Sequence, residues 1–190
     1  MDGWLERWVI DHRTQGLDGA ARALAHLGTN GILHWVVFVG LVAVGVRSRR
    51  WQPVAAILGS AGVAVVGAEL LKHVFDRPRP HLARWLVHAS GTSMPSSVAA
   101  LVAGTVTAIV LALPVDRPGR PPWRRIAIPI AAVLTIVAGA SVVYVGVHWP
   151  TDVLAGWAFG VAAGVGVTWA IARFDELLVQ PRLEARRSPT

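Results

Sequence analysis

Five stretches of this 190-residue chain, at about 30–46, 54–75, 97–115, 126–147 and 152–173, approach the roughly twenty apolar residues that a helix needs to cross a bilayer. With 54% hydrophobic and 15% charged residues, the chain has more apolar surface than one soluble core can hide. Its 19 glycines, with many alanines, suit helices that pack closely in lipid. The expected fold is all-α: a polytopic membrane bundle of about five transmembrane helices, forming a single domain over residues 1–190.

The segment MDGWLERWVIDHR mixes charges with Trp4, Trp8, Val9 and Ile10. It lacks the basic start and apolar run of a cleaved leader and reads as an interfacial amphipathic helix. LDGAARALAHLG, at 17–28, is a second short helix, too charged to span. Residues 1–29 are therefore assigned to the interface, 30–173 to the transmembrane bundle and 174–190 to a cytoplasmic tail. The chain has no cysteine, which excludes disulfides and thiolate metal sites. No carboxylate cluster has oxygen-ligand spacing either, so no metal or cofactor is expected.

If the five helices alternate, Arg47, Arg49 and Arg50, then Arg117, Arg120, Arg124 and Arg125, then Arg173, Arg182, Arg186 and Arg187 fall on one side. Arginine collects on cytoplasmic flanks, so that side is expected to be cytoplasm and the C-terminus to lie there. Lys72, Arg77, Arg79 and His148 then face outward together, against the topological bias, and a phosphate ligand would explain them. The net charge of +7 points to anionic lipid or phosphate, and no nucleic-acid partner is expected.

Three short clusters sit on that outward side. KHVFDRPRP, at 72–80, puts Lys72 near a helix end and Arg77 and Arg79 just beyond it, with Pro78 and Pro80 stiffening the exit. Two guanidinium forks and an ammonium near one point suit phosphate; the plainer reading is snorkelling at a helix end. GTSMPSS, at 91–97, leads into the third apolar run, so Ser93 or Ser96 can cap a helix whose free N–H groups form an anion site, or can simply cap it. In SVVYVGVHWPTD, at 141–152, His148 and Asp152 are four apart, with Pro150 suited to the first helical turn. An aspartate at one imidazole nitrogen raises the basicity of the other and makes a nucleophile. The alternative is a capping aspartate beside an interfacial histidine.

In order and spacing the three clusters resemble the signature motifs of the type-2 phosphatidic acid phosphatase superfamily, the membrane lipid phosphatases that share a site with vanadium haloperoxidases. The resemblance covers roughly residues 10–173, and Lys72, six residues, then Arg79 and Pro80 match the first motif in full. It implies phosphate binding by Lys72, Arg79 and Ser96, with Arg77 and Ser97 beside them. It also implies attack by His148 on phosphorus to give a phosphohistidine, with Asp152 orienting the ring.

Two positions depart from the pattern. The second motif reads Pro-Ser-Gly-His in the family and Pro95, Ser96, Ser97, Val98 here, which removes the general acid. The third opens Ser-Arg in the family and Ser141, Val142 here, which removes a phosphate-binding arginine. A general acid contributes about 10²- to 10⁴-fold in rate. A lipid monophosphate expels an alkoxide that needs a proton, whereas a diphosphate expels phosphate, whose second pKa is about 6. The expected function is therefore hydrolysis of a prenyl or glycerolipid phosphate, preferentially a diphosphate, at the outer face of a bacterial plasma membrane. His81 or His88 could supply the missing acid. Two other readings stay open: a catalytically silent relative that binds phosphorylated lipid or scaffolds a partner membrane protein, and a phosphotransferase with an acceptor other than water.

Overall fold

A computed structural model describes residues 2–114 and 122–187, with side chains described through residue 177. Arg117 and Arg120 lie outside the described residues, as do the side chains of Arg182, Arg186 and Arg187. Among the described residues every regular element is helical. Two short helices, α1 (Asp2–Asp11) and α2 (Gln15–Thr29), precede α3 (Gly31–Ser48) and α4 (Trp51–Phe75). A loop with one 3-10 turn (Leu82–Arg84) leads to α5 (Ser97–Ala112), followed by α6 (Trp123–Tyr144) and α7 (Pro150–Arg187).

Four of these, α3, α4, α6 and the Pro150–Leu177 part of α7, are long and apolar enough to cross a membrane. The expected fifth span, α5, has 16 residues and is about 24 Å long, short of the hydrocarbon thickness. The expected run of 97–115 is shortened because the chain leaves helical geometry at Leu113, just before Pro114. Nor does the last helix stop near residue 173, since α7 continues to Arg187 through the segment assigned to a tail.

Composition explains which helix sits where. α3 and α6 expose Ile32, Trp35, Val36 and Val39, and Ile128, Ile130, Val133 and Leu134, a belt that hydrocarbon accepts and water would not. In contrast, α5 buries Ala99, Ala100, Ala103, Gly104 and Ala108 and packs mainly against α7 and α4. The α5–α7 contact runs along Gly156, Gly160 and Gly164, spaced one helical turn apart. A Cβ on each would lie 2.5 Å from the Ser96 carbonyl, 2.3 Å from the Ala100 carbonyl and 2.8 Å from the Gly104 carbonyl oxygen. Small residues at i, i+4 and i+8 let two membrane helices touch backbone to backbone.

The N-terminal pair is fastened across the end of the bundle that carries the motifs. Arg13 donates to the carbonyls of Tyr144 and Arg84, the latter at 2.8 Å, while buried Glu6 accepts from Arg84 at 2.5 Å. Tyr144 donates its hydroxyl to Asp18 at 2.8 Å. Gly146, at φ 79°, makes this junction possible, because a Cβ there would lie 2.5 Å from the Arg84 carbonyl oxygen. At the opposite end Arg49 and Arg50 share a cavity with Asp175, so the α3–α4 turn and the later part of α7 lie together, as helix alternation predicts.

Candidate active site

His148 occupies the turn between α6 and α7, where Val145 to Val147 fold back on α6 and Pro150 opens α7. Proline at a first helical position sacrifices no hydrogen bond, so the chain can turn sharply and restart. Asp152, in that first turn, accepts from the Trp149 N–H through Oδ2 at 2.8 Å and so caps its own helix. Its Oδ1 accepts from Arg77 Nη1 at 2.8 Å. Oδ2 also lies 3.5 Å from His148 Nδ1, which has no closer partner. One fully buried carboxylate thus caps α7 and stands beside the His148 ring.

On the other face of the ring, Nε2 lies 3.3 Å from Nη1 of Arg79. That guanidinium is held by backbone carbonyls: Nη1 donates to Val147 at 2.9 Å, Nη2 to Ser90 at 2.9 Å and Nε to Gly91 at 3.0 Å. A guanidinium cannot accept, so this contact is favourable only when Nε2 presents a lone pair and Nδ1 carries the proton toward Asp152. Burial holds the His148 imidazole below its ordinary value, Arg79 adds to that, and the Asp152 carboxylate opposes it without reversing the sign. Burial and the Arg79 contact thus both favour the neutral ring, with the Nε2 lone pair toward the guanidinium.

A cavity of about 680 Å³ opens beside His148 and Arg79. Lys72, Arg79, Ser97 and His148 line it, which brings together four of the seven residues expected at the site. Val98 and Val142, the two departures from the motif pattern, line it as well. Both valines belong to the apolar cluster that receives Ala21 and Ala25 of α2, and Val98 packs onto Gly28.

Two expected phosphate ligands stand elsewhere. Arg77 is not among the cavity-lining residues, because its fork is spent on Asp152 and on Asp2, whose Oδ2 it reaches at 2.6 Å. Ser96 is fully buried as the N-cap of α5, its Oγ accepting from Ala99 N and its own N–H donating to the Asp152 carbonyl at 3.0 Å. The neighbouring Ser97, also expected at the site, lines the cavity. Of the two histidines offered as acids, His88 lines the cavity, whereas His81 caps the 3-10 turn and does not. Sequence reasoning missed His26, His34 and Glu69, which also line it. Glu69 was legible as a charge inside an apolar run, three residues before Lys72.

Fold and site together place the chain among membrane phosphatases built on a helical bundle. It belongs to the PAP2 superfamily, whose family model matches residues 53–176. The chain is 30% identical to phosphatidylglycerophosphatase B of Bacillus subtilis, over 86% of its own length and 78% of that protein's. It is 34% identical to undecaprenyl-diphosphatase of Sulfolobus acidocaldarius, over 76% and 69%. The crystal structure of a transmembrane PAP2-type phosphatidylglycerolphosphate phosphatase from Bacillus subtilis superposes with a TM-score of 0.76 at 26% identity, covering 92% of this chain and 84% of that one.

Proposed function

We propose that this protein hydrolyses a phosphorylated membrane lipid through a phosphohistidine formed on His148. The observation that carries the reading is the buried His148, with Nε2 directed at Arg79 beside a cavity that also holds Lys72 and Ser97. A phosphoryl group there would take charge-assisted hydrogen bonds from Lys72 and Arg79, a hydroxyl contact from Ser97 and the free N–H groups at the start of α5. Attack by Nε2 transfers the phosphoryl group to the ring, and Asp152 stabilises the imidazolium that develops. Arg77 and Ser96 act at one remove, by holding Asp152 and the start of α5.

A lipid diphosphate is the readier substrate of the His148 chemistry, because phosphate leaves with little protonation and Val98 offers no proton. The likeness to an undecaprenyl-diphosphatase supports a prenyl diphosphate in particular. The arginines of the α3–α4 turn lie at the far end of the bundle from His148, which supports a cytoplasmic arginine side and an active site facing outward. Phosphate release from matched lipid monophosphates and diphosphates, with His148→Ala alongside, tests the reading. Release that depends on His148 and is faster on diphosphates is expected, and release that survives His148→Ala would overturn it.

A further inference from the structure

Glu69 has no part in the chemistry above. It stands six residues, or about 9 Å, before the end of α4, inside a membrane span, where an ionisable side chain is costly and marks function by default. Its Oε1 accepts from Lys72 Nζ at 2.7 Å and from the Ser97 hydroxyl at 2.5 Å. Both donors line the cavity with His148, and Glu69 itself is half exposed to that space. The carboxyl is thus one hydrogen bond from two groups that would hold a phosphoryl oxygen.

Expelling an alkoxide requires a proton at the leaving oxygen. The proton carriers lining the cavity besides Lys72 are Glu69, His26, His34 and His88. The three histidines are exposed, and His88 sets its ring edge-on to Trp85. Glu69 alone among them is bonded to the phosphate-facing donors. The charged groups around it are Lys72 from α4 and Arg79 from the following loop. A phosphoryl group that takes Lys72 and Ser97 as donors sets its own anionic oxygens against this carboxylate, and two such oxygens at hydrogen-bond distance share a proton, as paired carboxylates do.

We propose that Glu69 is the proton carrier of this site and extends its range to phosphate monoesters; this rests on His148 being the nucleophile. The proton arrives with the phosphate monoanion and is shared with Glu69; as the Nε2–P bond forms and the P–O bond to the lipid breaks, it passes to the lipid oxygen, giving the free alcohol. Water then attacks phosphorus, its proton passes to the Glu69 carboxylate, and the Nε2–P electron pair returns to the ring. Phosphate leaves with that proton as the monoanion, and Glu69 returns as the carboxylate paired with Lys72 and Ser97.

The test compares wild type with Glu69→Gln in detergent micelles on dioctanoylglycerol phosphate and on p-nitrophenyl phosphate, whose phenolate departs without a proton. A loss of about 10²- to 10⁴-fold on the lipid and of less than about tenfold on the aryl ester is expected, with partial recovery in Glu69→Asp. Equal losses on both esters, or no loss on the lipid, would overturn the proposal. Vanadate should bind Glu69→Gln at least as tightly as wild type; weakened binding would show a residue that only positions Lys72 and would also overturn it. Wild type inactive on both esters while active on a lipid diphosphate would overturn this proposal alone, whereas His148→Ala as active as wild type would remove the nucleophile reading, and this proposal with it.

Discussion

Arg79 and His148 face each other at 3.3 Å, guanidinium Nη1 to imidazole Nε2, so the cation that would bind phosphate also fixes the tautomer of the group that would attack it. Arg79→Lys keeps the charge but loses the fork that holds three backbone carbonyls, and a drop in turnover of about 10²-fold is expected. Steady-state kinetics on a lipid diphosphate checks this.

With His148 as the proposed nucleophile, its ring should set the acid limb of activity. Its folded value lies below the ordinary one of about 6.5, so kcat/KM should be level just above pH 6.5 and fall only at lower pH, where Nε2 gains a proton. The same sign applies to stability: the contribution is fully present above about pH 6.5 and is lost as pH falls through the folded value. Asp152→Asn removes the group that opposes burial, so the limb should move lower still, with a loss in rate of up to about 10⁴-fold. A pH profile with its acid limb above 6.5 would contradict this.

Arg77 should behave as a positioning residue. Arg77→Ala leaves the fully buried Asp152 carboxylate with only the Trp149 N–H and a distant ring, a change expected to cost about 3 kcal/mol. Thermal unfolding in detergent reads that loss, and kinetics should show kcat falling more than KM rises, because Arg77 does not line the cavity.

Val98 and Val142 offer a test by restoration. Val98→His in the Glu69→Gln background should recover monophosphate turnover, since it places an acid on the cavity wall. Val142→Arg is different: position 142 is 2% exposed and packed with Ala21 and Ala25, so a guanidinium there should destabilise the protein by about 3 kcal/mol or displace α2. Unfolding curves with and without vanadate separate the two, because bound anion should return part of the stability.

The two ends of the bundle can be assigned to sides of the membrane without disturbing any native thiol, because the chain has no cysteine. Ser90→Cys should react with an impermeant maleimide in intact cells, and Arg50→Cys only after permeabilisation. Labelling of both in intact cells would contradict the topology.

Much of this architecture was legible before any coordinates. Helices α3, α4, α6 and α7 follow from apolar runs bounded by Arg, Pro and Asn, and Lys72, Arg79, His148 and Asp152 follow from motif spacing. The length of α5 was not legible, because an apolar run continues past the point where Pro114 stops the helix. Nor was it legible that Ser97 lines the cavity while Arg77 and Ser96 do not: adjacent residues share a motif, and only the direction of α5 decides which hydroxyl faces the cavity. The tie from Asp2 to Arg77 spans 75 positions, and no local pattern encodes a contact of that range.

The glycine seam between α5 and α7 carries a consequence for the chemistry. Its first contact is the Ser96 carbonyl against Gly156, one turn from the hydrogen bond that joins Ser96 to Asp152. Gly160 and Gly164 extend the same close fit down the helices, so the seam works as a ruler that sets how far the start of α5 stands from the start of α7. A slip of one notch would move one helix by about 5.4 Å along the other and carry Ser97 away from His148. Alanine at Gly164 should therefore cost about 1–3 kcal/mol and blunt turnover from two helical turns below Gly156, with every side chain of the cavity unchanged in identity.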